Sequence, residues 1–346
     1  MGSKTETAAK AAFGCIGCLG AAAFMLAIAF AVVAVLAGVF FGKGAARDSS
    51  SADAPEEDTL PTVVWERGGE AGSPAVMRLR LEGEIAFSDG SADIFGDAEP
   101  SAAEALLERI RDATRDDEVR GLLLELDTPG GEVTAADVIA DALASFRVSA
   151  TNRFVVVHMG SMCCSGGYYI AAAADWIVAH PTTVTGSIGV IMSTYNAAGL
   201  AEKLGVKSVT VATGANKNML DPLSPVDESH LEVLRRVVDA DYERFIGVIA
   251  AGREMDKEKV RALADGRVFS AKDALELGLV DAIGYRDDVW DVLDDLAGEP
   301  VRICRYEERR RLGRIIADAL GSASPLGAAA KRLGARPRAR LEYRLP

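Results

Sequence analysis

Phe154-Val155-Val156-Val157-His158-Met159-Gly160-Ser161-Met162-Cys163-Cys164-Ser165-Gly166-Gly167-Tyr168-Tyr169-Ile170 decides how this chain folds. Phe154 to Val157 is a β-branched run that reads as a buried strand. Behind the serine, Ile170-Ala171-Ala172-Ala173-Ala174 is a good helix-forming stretch. Ser165 therefore falls where a strand gives way to a helix, with two glycines directly after it. Such a turn exposes a hydroxyl beside free backbone N–H groups and a helix dipole that favour developing negative charge. Two readings stand on this stretch alone: a catalytic nucleophile, or a serine that caps a helix.

Working outward, the same alternation repeats. Ala75 to Leu81 alternates apolar and basic residues, as a strand covered on one face does. Ser101 to Arg115 carries apolar residues at helical spacing, and Ser101 with Glu104 forms a capping-box pattern. Gly121 to Leu126 is a second buried strand running into Asp127-Thr128-Pro129-Gly130-Gly131, followed by a helix over about 134–147. Trp176 to Ala179 and Val206 to Val211 read as further strands. Helices are expected over 227–252, 256–264 and 287–296. Strands alternating with helices imply an α/β domain with a parallel sheet and right-handed crossovers.

The 346 residues suffice for one large domain or two ordinary ones, and the formal net charge of -13 argues against general nucleic-acid binding. The five cysteines are Cys15, Cys18, Cys163, Cys164 and Cys304. They suggest neither a disulfide framework nor a zinc site beside only three histidines. Residues 11–42 hold no charge and exceed the roughly 20 apolar residues that span a bilayer. The length favours a membrane anchor over a cleavable signal peptide or a core helix. The expected order is an N-terminal tail (1–10), a transmembrane anchor (11–42), a linker (43–74), a folded α/β domain (75–300) and a basic tail (301–346). From Arg302 onward, twelve Lys or Arg stand against four Asp or Glu. Such a segment suits anionic lipid, a partner, or plain solvation.

Glycine lets a backbone turn its N–H into a ligand at close approach, so Pro129-Gly130-Gly131 and Gly166 are candidate oxyanion donors. A serine nucleophile also needs a base. His158, His180 and His230 carry no motif of their own. A neutral lysine is the alternative, since unrelated folds use Ser-Lys pairs and burial disfavours the ammonium form.

Ser165-Gly166-Gly167-Tyr168-Tyr169 after a strand, Pro129-Gly130-Gly131 upstream, and Thr185-Gly186-Ser187-Ile188-Gly189-Val190 downstream resemble the signal peptide peptidase A group of peptidase family S49. So do Asp265-Gly266-Arg267-Val268-Phe269 and the run from Ala274 to Asp281. The similarity covers about 75–296. It implies a ClpP/crotonase-like α/β spiral, with Ser165 as nucleophile and Lys217 as general base. It also implies that Ser187 orients the lysine and that the Gly131 and Gly166 amides form the oxyanion hole. By the same resemblance the protein is a membrane-anchored, single-pass serine endopeptidase with its catalytic domain outside the cytoplasm. It would cleave remnant signal peptides or other apolar membrane-derived segments, in a homo-oligomeric ring whose Ser-Lys dyad is shared between subunits. No cofactor, metal or nucleic acid is implied, and the lipid contact is through the anchor.

Three departures from the family pattern stand out. Cys163-Cys164 replaces the usual pair of alanines, Asn218 a usual aspartate, and Asp221-Pro222 the typical Ser-Pro. The last two put the local hydrogen bonds of the lysine loop in question. A crotonase-like acyl-CoA enzyme and a catalytically silent envelope ring are the competing readings.

Overall fold

The computed structural model describes residues 63–68, 70, 72–88 and 100–306, and the backbone of 341–344. The expected anchor (11–42) lies outside the described residues, as does the N-terminal tail. No helix among the described residues is long and apolar enough to cross a membrane.

In chain order the strands and helices begin with β1 (Val63–Arg67), β2 (Ala75–Glu82), α1 (Ala102–Arg115), β3 (Val119–Thr128), β4 (Gly130–Glu132) and α2 (Val133–Ser149). Next come β5 (Phe154–Cys164), α3 (Gly166–Ala171), β6 (Trp176–Ala179), β7 (Val184–Gly186), β8 (Ile191–Met192) and α4 (Ala198–Lys203). The chain continues through α5 (Glu228–Gly252), α6 (Lys257–Leu263), β9 (Val268–Ser270), α7 (Ala271–Leu277), β10 (Ala282–Ile283), α8 (Arg286–Ala297) and β11 (Arg302–Tyr306). It reaches β12 (Leu341–Arg344) near its end.

One sheet runs in the order β1-β11-β2-β3-β5-β6-β10, with β7 beside the end of β5 and β9 beside β7. The β1–β11 and β7–β9 pairs are antiparallel and the rest parallel. This parallel-rich α/β architecture fits a ClpP-like fold. The sheet takes in Val63–Arg67 and Arg302–Tyr306, beyond the expected limits of 75 and 300.

Parallel strands covered on both faces read as continuous apolar runs, and Leu122, Leu123 and Leu124 of β3 are all fully buried. Against β2 lies α1, which buries Ala103, Leu106, Leu107, Ile110 and Ala113 along one stripe. It starts at the expected capping box: Ser101 Oγ accepts from Glu104 N–H at 3.1 Å, and Glu104 Oε2 accepts from Ser101 N–H at 2.7 Å. Capping of this kind contributes about 1 kcal/mol.

The expected strand over Val206–Val211 does not form. Its residues are exposed, with Val209 at 89% and Val211 at 98%. A short β-branched run becomes a strand only where a sheet edge and a covered face receive it. Among the described residues neither is offered there.

Candidate active site

Strand β5 leads to the site by changing partners along its length. Val156 to Met159 pair with β6, whereas Met162 to Cys164 pair with β7. The register with β3 slips between Leu126 and Thr128, and Asp127 Oδ1 fills the gap by accepting Met162 N–H at 3.1 Å. The strand is thereby carried seven residues past the expected Phe154–Val157 run and over to β7, with Ser165 just beyond its end.

Ser165 has φ 52° and ψ -113°, a conformation that non-glycine residues rarely adopt. Its N–H donates to Gly186 O at 2.7 Å, and its carbonyl accepts from Tyr169 N–H at 2.8 Å. Its hydroxyl is different. Ser165 is fully buried, and its Oγ has no hydrogen-bond partner among the described residues. It does not cap α3, which has no side-chain cap bond. The capping reading therefore fails. Strain of this kind costs on the order of 1–3 kcal/mol, and an unpaired buried hydroxyl about as much again. Such costs concentrate at functional sites.

The two tyrosines behind the glycines hold the turn in place. Tyr168 Oη donates to Leu279 O at 2.8 Å, and Tyr169 Oη donates to Asp137 Oδ1 at 2.5 Å. Arg244 closes on the same carboxylate at 2.8 and 2.9 Å. Gly167 is required by its neighbour: a Cβ there would meet Thr128 Cγ2 at 2.6 Å.

Gly131 lies in β4, which packs against α3. A Cβ at Gly131 would stand 2.0 Å from Ile85 O, so only glycine fits. Gly130 O accepts Ile85 N–H at 2.9 Å, and Glu132 N–H donates to Ile85 O at 2.7 Å. Since alternate strand residues face opposite ways, the Gly131 N–H points away from Ile85. Thr128, which the sequence reading passed over, pins this loop by accepting Gly130 N–H at 3.1 Å. Ser187 follows Gly186, the residue that holds the Ser165 amide. Ser187 is 5% exposed at φ 50°, and its N–H donates to Arg267 O at 2.8 Å. The fold thus brings Ser165, Gly166, Ser187 and the Gly131 strand into one neighbourhood.

Lys217 is placed differently. It lies in a 3-10 turn, Ala215–Asn218, and is exposed. It does not partner Ser165 Oγ, which has no hydrogen-bond partner among the described residues. Its loop is nonetheless built. Asp221 accepts from Ser224 Oγ at 2.6 Å, Leu223 N–H at 3.0 Å, Ser208 Oγ at 2.9 Å and Asn218 Nδ2 at 3.3 Å. These bonds, that from Ser224 foremost, hold the Asp221 carboxyl down at about 2. The Asn218 and Asp221 departures therefore pair with each other. His230 Nε2 lies 3.0 Å from Ala215 O at the start of the same turn.

Neither thiol before the serine is primed to react. Burial pushes the Cys163 thiol well above its ordinary range and Cys164 up to about 11. His158 sits in β5, its Nε2 buried without a hydrogen-bond partner among the described residues, and burial lowers its pKa. Among the described residues no cluster of three His, Cys, Asp or Glu side chains could hold a metal ion.

Comparison with known proteins identifies the family. The profile described as Peptidase family S49 matches residues 148–299. A protein of Methanocaldococcus jannaschii provisionally named as a protease is 31% identical over 226 residues, 65% of this chain and 72% of its own. The chain belongs to peptidase family S49. Another relative, provisionally named signal peptide peptidase SppA, from Enterococcus faecium, is 38% identical over 223 residues, 64% of each chain. The chloroplastic serine protease SPPA of Arabidopsis thaliana is 32% identical over 239 residues, 66% of this chain and 35% of its own. The matched region thus spans under two thirds of the Enterococcus relative's length and about a third of the Arabidopsis one. The S49 match includes Ser165, Ser187 and Lys217 and leaves out Gly131.

Proposed function

We propose that this S49 member is a serine endopeptidase in which Ser165 attacks the peptide carbonyl and Lys217 of a neighbouring copy is the base. The observation that carries the reading is the Ser165 hydroxyl: buried, strained at φ 52°, and without a hydrogen-bond partner among the described residues. A neutral lysine amine reaching it would supply the missing acceptor and take the proton as the C–O bond forms. The amides of Gly131 and Gly166 would hold the oxyanion, where one well-placed donor is worth about 10²–10³ in kcat. Water would then release the acyl-enzyme with the same lysine as base. Ser187 would orient the amine from the turn beside Ser165.

The surface around Lys217 supports assembly. Tyr195, Leu204, Val209 and Val211 are 88%, 69%, 89% and 98% exposed, an apolar density that a lone subunit rarely shows to water. A ring of copies would cover it and bury Lys217, which disfavours the ammonium form. The run over 11–42 would anchor the ring as a single-pass protein in the cell membrane, with the catalytic domain outside the cytoplasm. That location suits remnant signal peptides and other apolar membrane-derived segments as substrates. Membership in a peptidase family weighs against an acyl-CoA enzyme.

Mixing tests this directly. Ser165→Ala and Lys217→Ala should each abolish cleavage of apolar fluorogenic peptides. Co-assembled, they should regain a sizeable fraction of wild-type activity, because some sites then combine an intact serine with a neighbour's intact lysine. A mixture that stays inactive while the ring is intact would place the dyad elsewhere.

A further inference from the structure

The stretch Asp265-Gly266-Arg267-Val268-Phe269 lies against the site, yet the reaction proposed above uses none of its side chains. Its strand, β9, pairs antiparallel with β7 and sets Gly186 against Val268 and Thr185 against Phe269. The contact continues past that ladder. Ser187 N–H donates to Arg267 O at 2.8 Å, and Gly266 N–H donates to Ile188 O at 3.2 Å. Gly186 O in turn accepts the Ser165 amide at 2.7 Å. Arg267 is therefore one backbone bond from Ser187 and lies beside the residue that holds Ser165.

That corner of the site needs support. Gly186 and Ser187 stand one after the other at positive φ, 87° and 50°. A serine in that region is uncommon and stays there only where its surroundings hold it. The strap over it is close: a Cβ at Gly186 would meet Phe269 Cδ2 at 2.5 Å and Arg267 O at 3.0 Å.

Asp265 fixes the strap. Its Oδ1 accepts Arg267 N–H at 3.1 Å across Gly266, which has φ 87°. In such a turn a short polar side chain stands in for a backbone acceptor. The Arg267 guanidinium closes on the same carboxylate, with Nε donating to Oδ1 at 2.7 Å. Bonds from Arg267, that from its side chain foremost, hold the Asp265 carboxyl down at about 2. Both side chains are about half exposed or more, so the ion pair itself contributes little in water. The bond to the Arg267 backbone is what matters.

We infer that Asp265 is a positioning residue for the Ser-Lys reaction. By fixing the backbone of Arg267 it holds Ser187 at its left-handed φ beside Ser165, where the Ser187 hydroxyl meets the incoming lysine amine. The effect on rate rests on the role proposed above for Ser187; the hold on the Ser187 backbone does not.

The test uses the full-length protein. Asp265→Ala removes the acceptor, whereas Asp265→Asn keeps an oxygen for the Arg267 N–H and discards the charge. On apolar fluorogenic peptides Asp265→Ala should lower kcat about tenfold at unchanged KM, with Asp265→Asn within about threefold of wild type. In a Ser187→Ala background the same Asp265→Ala change should cost less than about twofold, because an interaction already lost cannot be lost again. A loss of about tenfold in that background as well would be additive and would overturn the inference. Wild-type kcat in Asp265→Ala, or a loss in Asp265→Asn as deep as in Asp265→Ala, would also overturn it. Amide hydrogen exchange reads the hold without catalysis: over 184–190, Asp265→Ala should exchange about tenfold faster than wild type, and Asp265→Asn at the wild-type rate. Unchanged exchange in Asp265→Ala overturns the inference. Faster exchange in a protein whose wild type cleaves nothing would support the hold on Ser187 while sinking the protease reading. If Asp265→Ala does not fold, Gly266→Ala strains the same turn through its positive φ, with nothing within 4 Å of the added Cβ. It should show the same fall in kcat and the same faster exchange, and wild-type behaviour in both would overturn the inference.

Discussion

Replacing Gly131 by alanine perturbs the site by a single methyl group. An ideal Cβ at this position falls 2.0 Å from Ile85 O and 2.7 Å from both Ile85 C and Ile85 N. Ordinary van der Waals contact begins at 3.4 Å, so the two backbones must separate by about 1.4 Å along that line. Neither side yields easily, since Ile85 is fully buried and bonded to Gly130 and Glu132. Overpacking of this kind costs about 1–3 kcal/mol. In a domain of this size that lowers the thermal midpoint by roughly 2–10 °C. The larger effect falls on rate. Shifting an oxyanion donor by about 1 Å forfeits most of its contribution, so kcat/KM should fall about 10²–10³-fold. The assay pairs peptide cleavage with thermal unfolding and takes Gly199→Ala as control, because nothing lies within 4 Å of a Cβ there. A Gly131→Ala enzyme that keeps more than about a tenth of its activity would refute the placement of that amide in the reaction.

Asp281→Ala should lower the thermal midpoint by on the order of 10 °C, because it strands the Arg253 guanidinium, whose side chain is 8% exposed. Asp281 holds Arg253 at 2.6 and 2.9 Å and also accepts Ile177 N–H at 2.8 Å. A loss under about 2 °C would show that the pair is replaceable. His158, whose folded pKa burial depresses below 6.5, contributes stability that is present above 6.5 and lost as pH falls through the folded value. Wild-type unfolding midpoints measured from pH 7 to pH 5 should therefore decline more steeply than those of His158→Gln, and parallel curves would refute this. Asp221 accepts four hydrogen bonds in the lysine loop. Asp221→Ala should speed limited proteolysis within about 208–224 while leaving the global unfolding midpoint nearly unchanged; an unaltered digestion pattern would deny it that role.

Local chemistry determined much of this protein. The β-branched run at Phe154, the capping box at Ser101 and the two glycines behind Ser165 each state a backbone preference within a few residues, and the chain follows each. The order of strands and helices, and hence the α/β class, is legible for the same reason. So is the candidate serine, because a tight turn from strand to helix needs glycine where it is crowded.

Tertiary structure decided what depends on a distant partner. Val206–Val211 has the composition of a strand and is none, because no edge receives it. Val63–Arg67 looked like linker and is a strand, because Arg302–Tyr306 pairs with it. Whether Ser165 caps a helix or stands unpaired was open in the sequence. A bond from its amide to Gly186, together with a fully buried position, fixes it at positive φ with its hydroxyl unpartnered. The basic tail gave no sign of returning to the site, because strand pairing recognises backbone N–H and C=O groups that every residue carries. Only the register of Tyr343 against Gly131 reveals it.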